Sequence, residues 1–68
     1  MTIQDLIDQF EIQGAYCIKE YDCETEDCIV LADGHDFECE YWKIDDEIKN
    51  SRISYMYAVD GVLNIEVE

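Results

Sequence analysis

Two Asp-Gly dipeptides, Asp33-Gly34 and Asp60-Gly61, each separate apolar or alternating runs, and this constrains the fold more than any other feature. A two-residue type I′ turn needs positive φ at both central positions, which Asp-Gly tolerates, and its twist matches the flanking strands. Residues 28–32 (Cys-Ile-Val-Leu-Ala) lead into the first pair. After it His35, Phe37, Cys39 and Tyr41 alternate with Asp36, Glu38 and Glu40, the period of a strand. A hairpin there sets Val30 opposite Phe37 and Cys28 opposite Cys39, with a core face of those four residues and an acidic outer face. Residues 53–59 and 62–67 repeat the logic around Asp60-Gly61, with Val59 opposite Val62. Met56, Ala58, Leu63, Ile65 and Val67 then share an apolar face, and Tyr55, Tyr57, Asn64 and Glu66 share the other.

At the start of the chain, Ile3, Leu6, Ile7 and Phe10 fall at i, i+3, i+4 and i+7, which predicts a helix over 3–10. Thr2 and Asp5 have the spacing of a capping box, and Asp5 sits where the helix dipole favours an anion. Residues 12–21 read as a strand, 22–27 as an acidic loop, and 43–51 as a helical turn or irregular connection. Hydrophobic residues make up 49% of the chain and proline is absent, which favours a packed core over disorder despite the charge. The expectation is one α+β domain over 1–68: a short N-terminal helix packed on a four- to five-stranded, mostly antiparallel sheet built from two Asp-Gly hairpins.

The chain carries 18 acidic residues against 4 basic ones, a net charge of −14. Affinity for nucleic acid comes largely from Lys and Arg displacing counterions from phosphate, and Lys19, Lys43, Lys49 and Arg52 are too few for it. Anionic membrane surfaces are excluded by the same argument. No apolar run reaches transmembrane length, and the N-terminus has neither the basic nor the apolar region of a secretory signal. The chain therefore reads as cytoplasmic, with Cys17, Cys23, Cys28 and Cys39 expected as thiols.

No catalytic constellation stands out. The cysteines lack the paired C-x-x-C spacing of structural zinc sites, although a small metal-bound domain using His35 and cysteines is one alternative reading. Asp22, Glu24, Glu26 and Asp27 resemble the opening of a calcium loop, but it lacks the glycine and the closing bidentate glutamate. The only histidine, His35, has no nucleophile within hydrogen-bond reach on its strand, and the three glycines form no phosphate-cradling loop. The expectation is a non-enzymatic chain without a cofactor.

Between Glu20 and Glu47 the only basic residue is Lys43. On a strand, Asp36, Glu38 and Glu40 would stand about 6.6 to 7 Å apart, close to successive phosphates along one DNA strand. This predicts a protein-interaction domain that binds a basic surface, most concretely a DNA-mimic inhibitor of a nucleic-acid-binding protein. Asp36, Glu38 and Glu40 would make the contact, aided by Glu24, Glu26 and Asp27. In size and charge alone, the chain is similar to the short acidic inhibitors that phages and mobile elements direct against restriction or CRISPR nucleases. A further alternative is a homodimer or accessory domain pairing through Tyr55, Tyr57 and an edge strand at 62–67.

Overall fold

The computed structural model describes residues 1–68. Helix α1 (Ile3–Gln9) precedes strands β1 (Ala15–Asp22) and β2 (Asp27–Gly34). Two short helices, α2 (Phe37–Glu40) and α3 (Asp46–Lys49), follow, separated by a 3-10 turn at Tyr41–Lys43. Strands β3 (Ile53–Val59) and β4 (Val62–Val67) complete an α+β fold. The four strands lie in the order β2-β1-β4-β3. The outer pairs are antiparallel, while β1 and β4 run parallel at the centre. No helix is long and apolar enough to cross a membrane.

The capping box at the start of α1 forms as the spacing predicts. The Thr2 hydroxyl accepts from the Asp5 amide at 3.2 Å, and the Asp5 carboxylate accepts from the Thr2 amide at 3.0 Å. Ile3 and Leu6 are buried, and the Ile53 amide donates to the Met1 carbonyl at 2.8 Å, tying the helix to the start of β3. Seven residues make a helix too short to persist alone, so this docking holds it.

The β3–β4 hairpin has the expected turn and register. Asp60 and Gly61 have φ of 52° and 77°, and Val59 pairs with Val62, Ala58 with Leu63 and Met56 with Ile65. Ile65 and Val67 are fully buried. The terminal strand is not an edge, however. Pairing with β1 places β4 in the interior, and β3 takes the edge.

The first hairpin departs from expectation. β1 turns into β2 through residues 23–26, where the Asp22 carboxylate accepts from the Glu24 amide at 2.9 Å and Glu26 adopts φ of 58°. Asp33 and Gly34 end β2, paired with Cys17 and Tyr16, so this Asp-Gly pair makes no turn. Val30 pairs with Lys19 and Cys28 with Tyr21, and of the anticipated core face only Phe37 is buried. Residues 35–41 form no fifth strand. With β4 beside β1, the chain must cross from the β2 edge to the β3 edge, and it does so as α2, the 3-10 turn and α3 over one face of the sheet. Phe37, Tyr41, Ile44 and Ile48 follow helical spacing, and Phe37 and Ile44 are buried against the sheet.

The core contains Ile3 and Leu6 from α1, Tyr16 and Ile18 from β1, Phe37 and Ile44 from the crossover, and Ile65 and Val67 from β4. The Tyr16 and Phe37 rings meet edge-on at 5.0 Å, and the Phe37 amide donates to the Gly14 carbonyl at 2.9 Å. Gly34 is the point of closest approach. A Cβ there would lie 2.7 Å from Tyr16 Cε1 and 2.8 Å from Glu40 Oε1. The glycines of the two Asp-Gly pairs therefore serve different ends, which substitution separates. Gly34→Ala should lower stability by about 1–3 kcal/mol through overpacking. Gly61→Asn, at an open position that asparagine tolerates, should stay within about 1 kcal/mol of the parent. Urea unfolding measures both, and an unchanged midpoint for Gly34→Ala would show that the approach is not rigid.

Candidate interaction surfaces

The acidic residues singled out in the sequence occupy two separate places. Glu24, Glu26 and Asp27 are exposed at the β1–β2 turn. Asp36, Glu38 and Glu40 belong to α2 and its N-cap, which follow the opposite end of the same hairpin. Six strand residues separate the ends, a distance of about 20 Å. The two groups do not form one surface. Nor do Asp36, Glu38 and Glu40 form a strand-spaced row, because a helical turn sends i and i+2 to different sides.

Glu40 has a structural task. Its Oε1 accepts from the His35 amide at 2.9 Å and the Asp36 amide at 2.8 Å, closing the β2–α2 corner over Gly34. These two backbone hydrogen bonds, Asp36 first, hold the carboxyl below its ordinary value. Asp36 is half-buried, which leaves Glu38 as the exposed member of the trio. The rest of the helical layer adds Asp5 and Asp8 on α1 and Asp45, Asp46 and Glu47 at α3.

The tyrosines behave differently. Tyr55 and Tyr57 project from β3 on the face of the sheet away from the helices, with ring centroids 5.5 Å apart. Lys19 on β1 reaches across β4 and donates to the Tyr57 hydroxyl at 3.3 Å, its ammonium 5.6 Å from the ring centroid. That hydrogen bond holds the ammonium above its ordinary pKa. Asn64 lies between them, its Nδ2 donating to the Val62 carbonyl at 3.1 Å. No helix covers this face.

The opposite side carries a feature that strand-and-turn reading missed. Phe10, the C-cap of α1, is 55% exposed and separates two apolar hollows of about 120 and 320 Å³. Ile7, Phe37 and Tyr41 line the first, Met56 and Leu63 line the second, and Ile12 borders both. Glu11 and Glu38 stand at the rim of the smaller hollow. Trp42, on the 3-10 turn, is 67% exposed with the Lys43 ammonium 5.4 Å from its ring centroid. The signal was available in the apolar periodicity of residues 37, 41, 44 and 48, which outcompetes the alternation over 35–41.

The thiols are dispersed over β1, the β1–β2 turn, β2 and α2. No three His, Cys, Asp or Glu side chains stand together as a metal-ligand set. Cys39 is drawn towards Asp36, whose hydrogen bond and charge push the thiol's pKa up, the opposite of an activated nucleophile. Burial, then the charges of Glu40 and Asp33, raise the Tyr16 phenol. No protein family, curated protein or solved structure matches this chain.

The Glu40 corner yields a test by pH. A carboxyl held below its ordinary value of 4.5 contributes fully above that value, and the contribution is lost as pH falls through the folded pKa. Glu40→Gln should therefore be less stable than the parent at neutral pH, and the gap should narrow as pH falls below 4.5 through the folded pKa. Relief of repulsion among the other acids affects both proteins alike, so the difference in urea midpoint isolates the corner. A gap independent of pH contradicts it.

Proposed function

We propose that this chain is a non-enzymatic acidic interaction domain that binds a basic protein surface, most concretely as a DNA-mimic inhibitor of a nucleic-acid-binding protein. The observation that carries the reading is the segregation of charge. Of the strand positions on the open face, only Asp33 and Glu66 are acidic, whereas the helical layer and the β1–β2 turn hold most of the remaining acids.

The magnitude bears on the reading. A surface of 4697 Å² shared among 14 net charges gives about 340 Å² per charge. A duplex with one charge per about 1.7 Å of axis and a radius of about 10 Å has one per roughly 110 Å². The average field is thus about a third of the duplex's, and mimicry depends on gathering the charge to one side. Beside that acidic layer, the hollows flanking Phe10 supply an apolar anchor, which steering by charge alone lacks.

The test separates the charge from the anchor. Captured on the chain from its own cell lysate, the partner should be a nucleic-acid-binding protein, released by duplex DNA and by about 0.5 M salt. For the purified partner, Glu38→Lys combined with Asp45→Lys and Asp46→Lys should weaken binding at least tenfold and flatten its salt dependence, with Glu40 left intact to preserve the corner. Phe10→Ser should weaken binding at every salt concentration while lowering the unfolding free energy by no more than about 1 kcal/mol, because the side chain is already 55% exposed. Binding indifferent to both the charge reversal and duplex DNA rejects mimicry.

A further inference from the structure

We propose that the open face of the sheet is a contact between two copies of this chain, packed face to face as a weak β-sandwich dimer. The first ground is the parallel pair at its centre. All-parallel sheets are covered on both faces by the helices of their crossovers, whereas an antiparallel sheet can leave one face to water; this sheet sets one parallel pair between two antiparallel ones. Here every helix lies on one side, and β1 and β4 have nothing over the other. That face is not the polar surface of a solvated sheet. Cys17, Tyr57, Val59, Val62 and Asn64 line a shallow depression around Lys19, with Asp60 of the β3–β4 turn at its rim and Tyr55 and Val30 exposed at either edge by 62% and 55%.

The choice of a second copy rests on charge. In a chain of net charge −14, this face carries only Asp33 and Glu66 as acids on its strands, with Asp60 at the turn, against Lys19. Lys19 and Glu66 are register partners on β1 and β4, adjacent at its middle. A two-fold axis lying between the sheets and running along the β1–β4 seam sets each Lys19 over Glu66 of the second copy, so the centre of the face is complementary to itself, with Asp33 and Asp60 outside that pair. The same packing turns the acidic layers outward. Sheets meet at about 10 Å and each helical layer lies about 10 Å behind its sheet, so the layers end about 30 Å apart, several Debye lengths at physiological salt. The face offers about a dozen residues, roughly half of the 20–30 per side in a standard interface. The dimer should therefore be weak and reversible.

Sedimentation equilibrium of the whole chain tests this, with reductant present so that Cys17 and Cys28 on the same face do not cross-link. The mass should approach twice that of the monomer as concentration rises to about 1 mM, and association should strengthen with added salt as residual repulsion is screened. This is opposite in sign to binding of a basic partner. Val30→Glu and Tyr55→Glu, both at exposed positions, should each weaken association at least tenfold with an unchanged circular dichroism spectrum. Phe10→Ser, on the helical side, should leave it unchanged. As a readout that needs no variant, amide shifts on dilution should concentrate at Lys19, Tyr57 and Asn64 and spare α2. A monomer throughout, shifts confined to the helical side, or a dimer indifferent to both glutamate substitutions overturns the proposal.

Discussion

The parallel pairing of β1 with β4 is the constraint from which the rest of the structure follows. It joins residues 15–20 to residues 62–67, 47 positions apart in a chain of 68, and makes one sheet of two hairpins that would each be marginal alone. Once β4 occupies one side of β1, β2 has only the outer side, and the segment leaving β2 must travel over the sheet to start β3 at the opposite edge. A segment crossing over a sheet cannot continue its ladder, so its backbone amides and carbonyls must be satisfied within itself. The helical turns at Phe37–Glu40, Tyr41–Lys43 and Asp46–Lys49 do this, and the corner that begins them is closed by the Glu40 carboxylate.

How much of this was legible depended on whether the signal was local. The Thr2–Asp5 capping box and the Asp60-Gly61 turn are settled by residues within four positions of each other, and both formed as read. Asp33-Gly34 carries the same dipeptide but has a different fate. Its glycine is required by a long-range contact, the approach of Tyr16 and Glu40, and not by a positive φ. The turn that does form, at residues 23–26, contains no glycine and places Glu26 in the left-handed region, so turn chemistry did not advertise it. Alternation over residues 35–41 and helical spacing over residues 37–48 coexist in the same letters. A parallel pairing between distant strands decides between them, and one sequence read locally does not contain it.

The candidate site was less legible than the fold for the same reason. The acidic trio at 36, 38 and 40 derived its meaning from a strand that does not exist, and one of its members is committed to holding the backbone. The division of Tyr55 and Tyr57 from the apolar face of β4 was readable, because a hairpin of correct register fixes both faces at once. Whether anything covered the tyrosine face was not readable, since that depends on which side the crossover takes.

A net charge of −14 on a chain this small opposes compaction, and the placement of charge shows how the fold accommodates it. Asp5 stands in the first turn of α1, Glu38 in that of α2, and Asp46 and Glu47 in that of α3, where unpaired backbone amides favour anions. Lys43 and Lys49 stand in last turns, where carbonyls favour cations. The helical layer is thus the side on which acidic residues are least costly to the fold. A sheet face has no such compensation, because strand dipoles largely cancel, and β1 and β4 accordingly present there one lysine beside one glutamate, with tyrosines and valines around them. The two faces of the protein differ in charge because helices and strands differ in where they tolerate it. That difference is the common ground of the two proposals, a basic partner for the helical side and a second copy for the open face of the sheet.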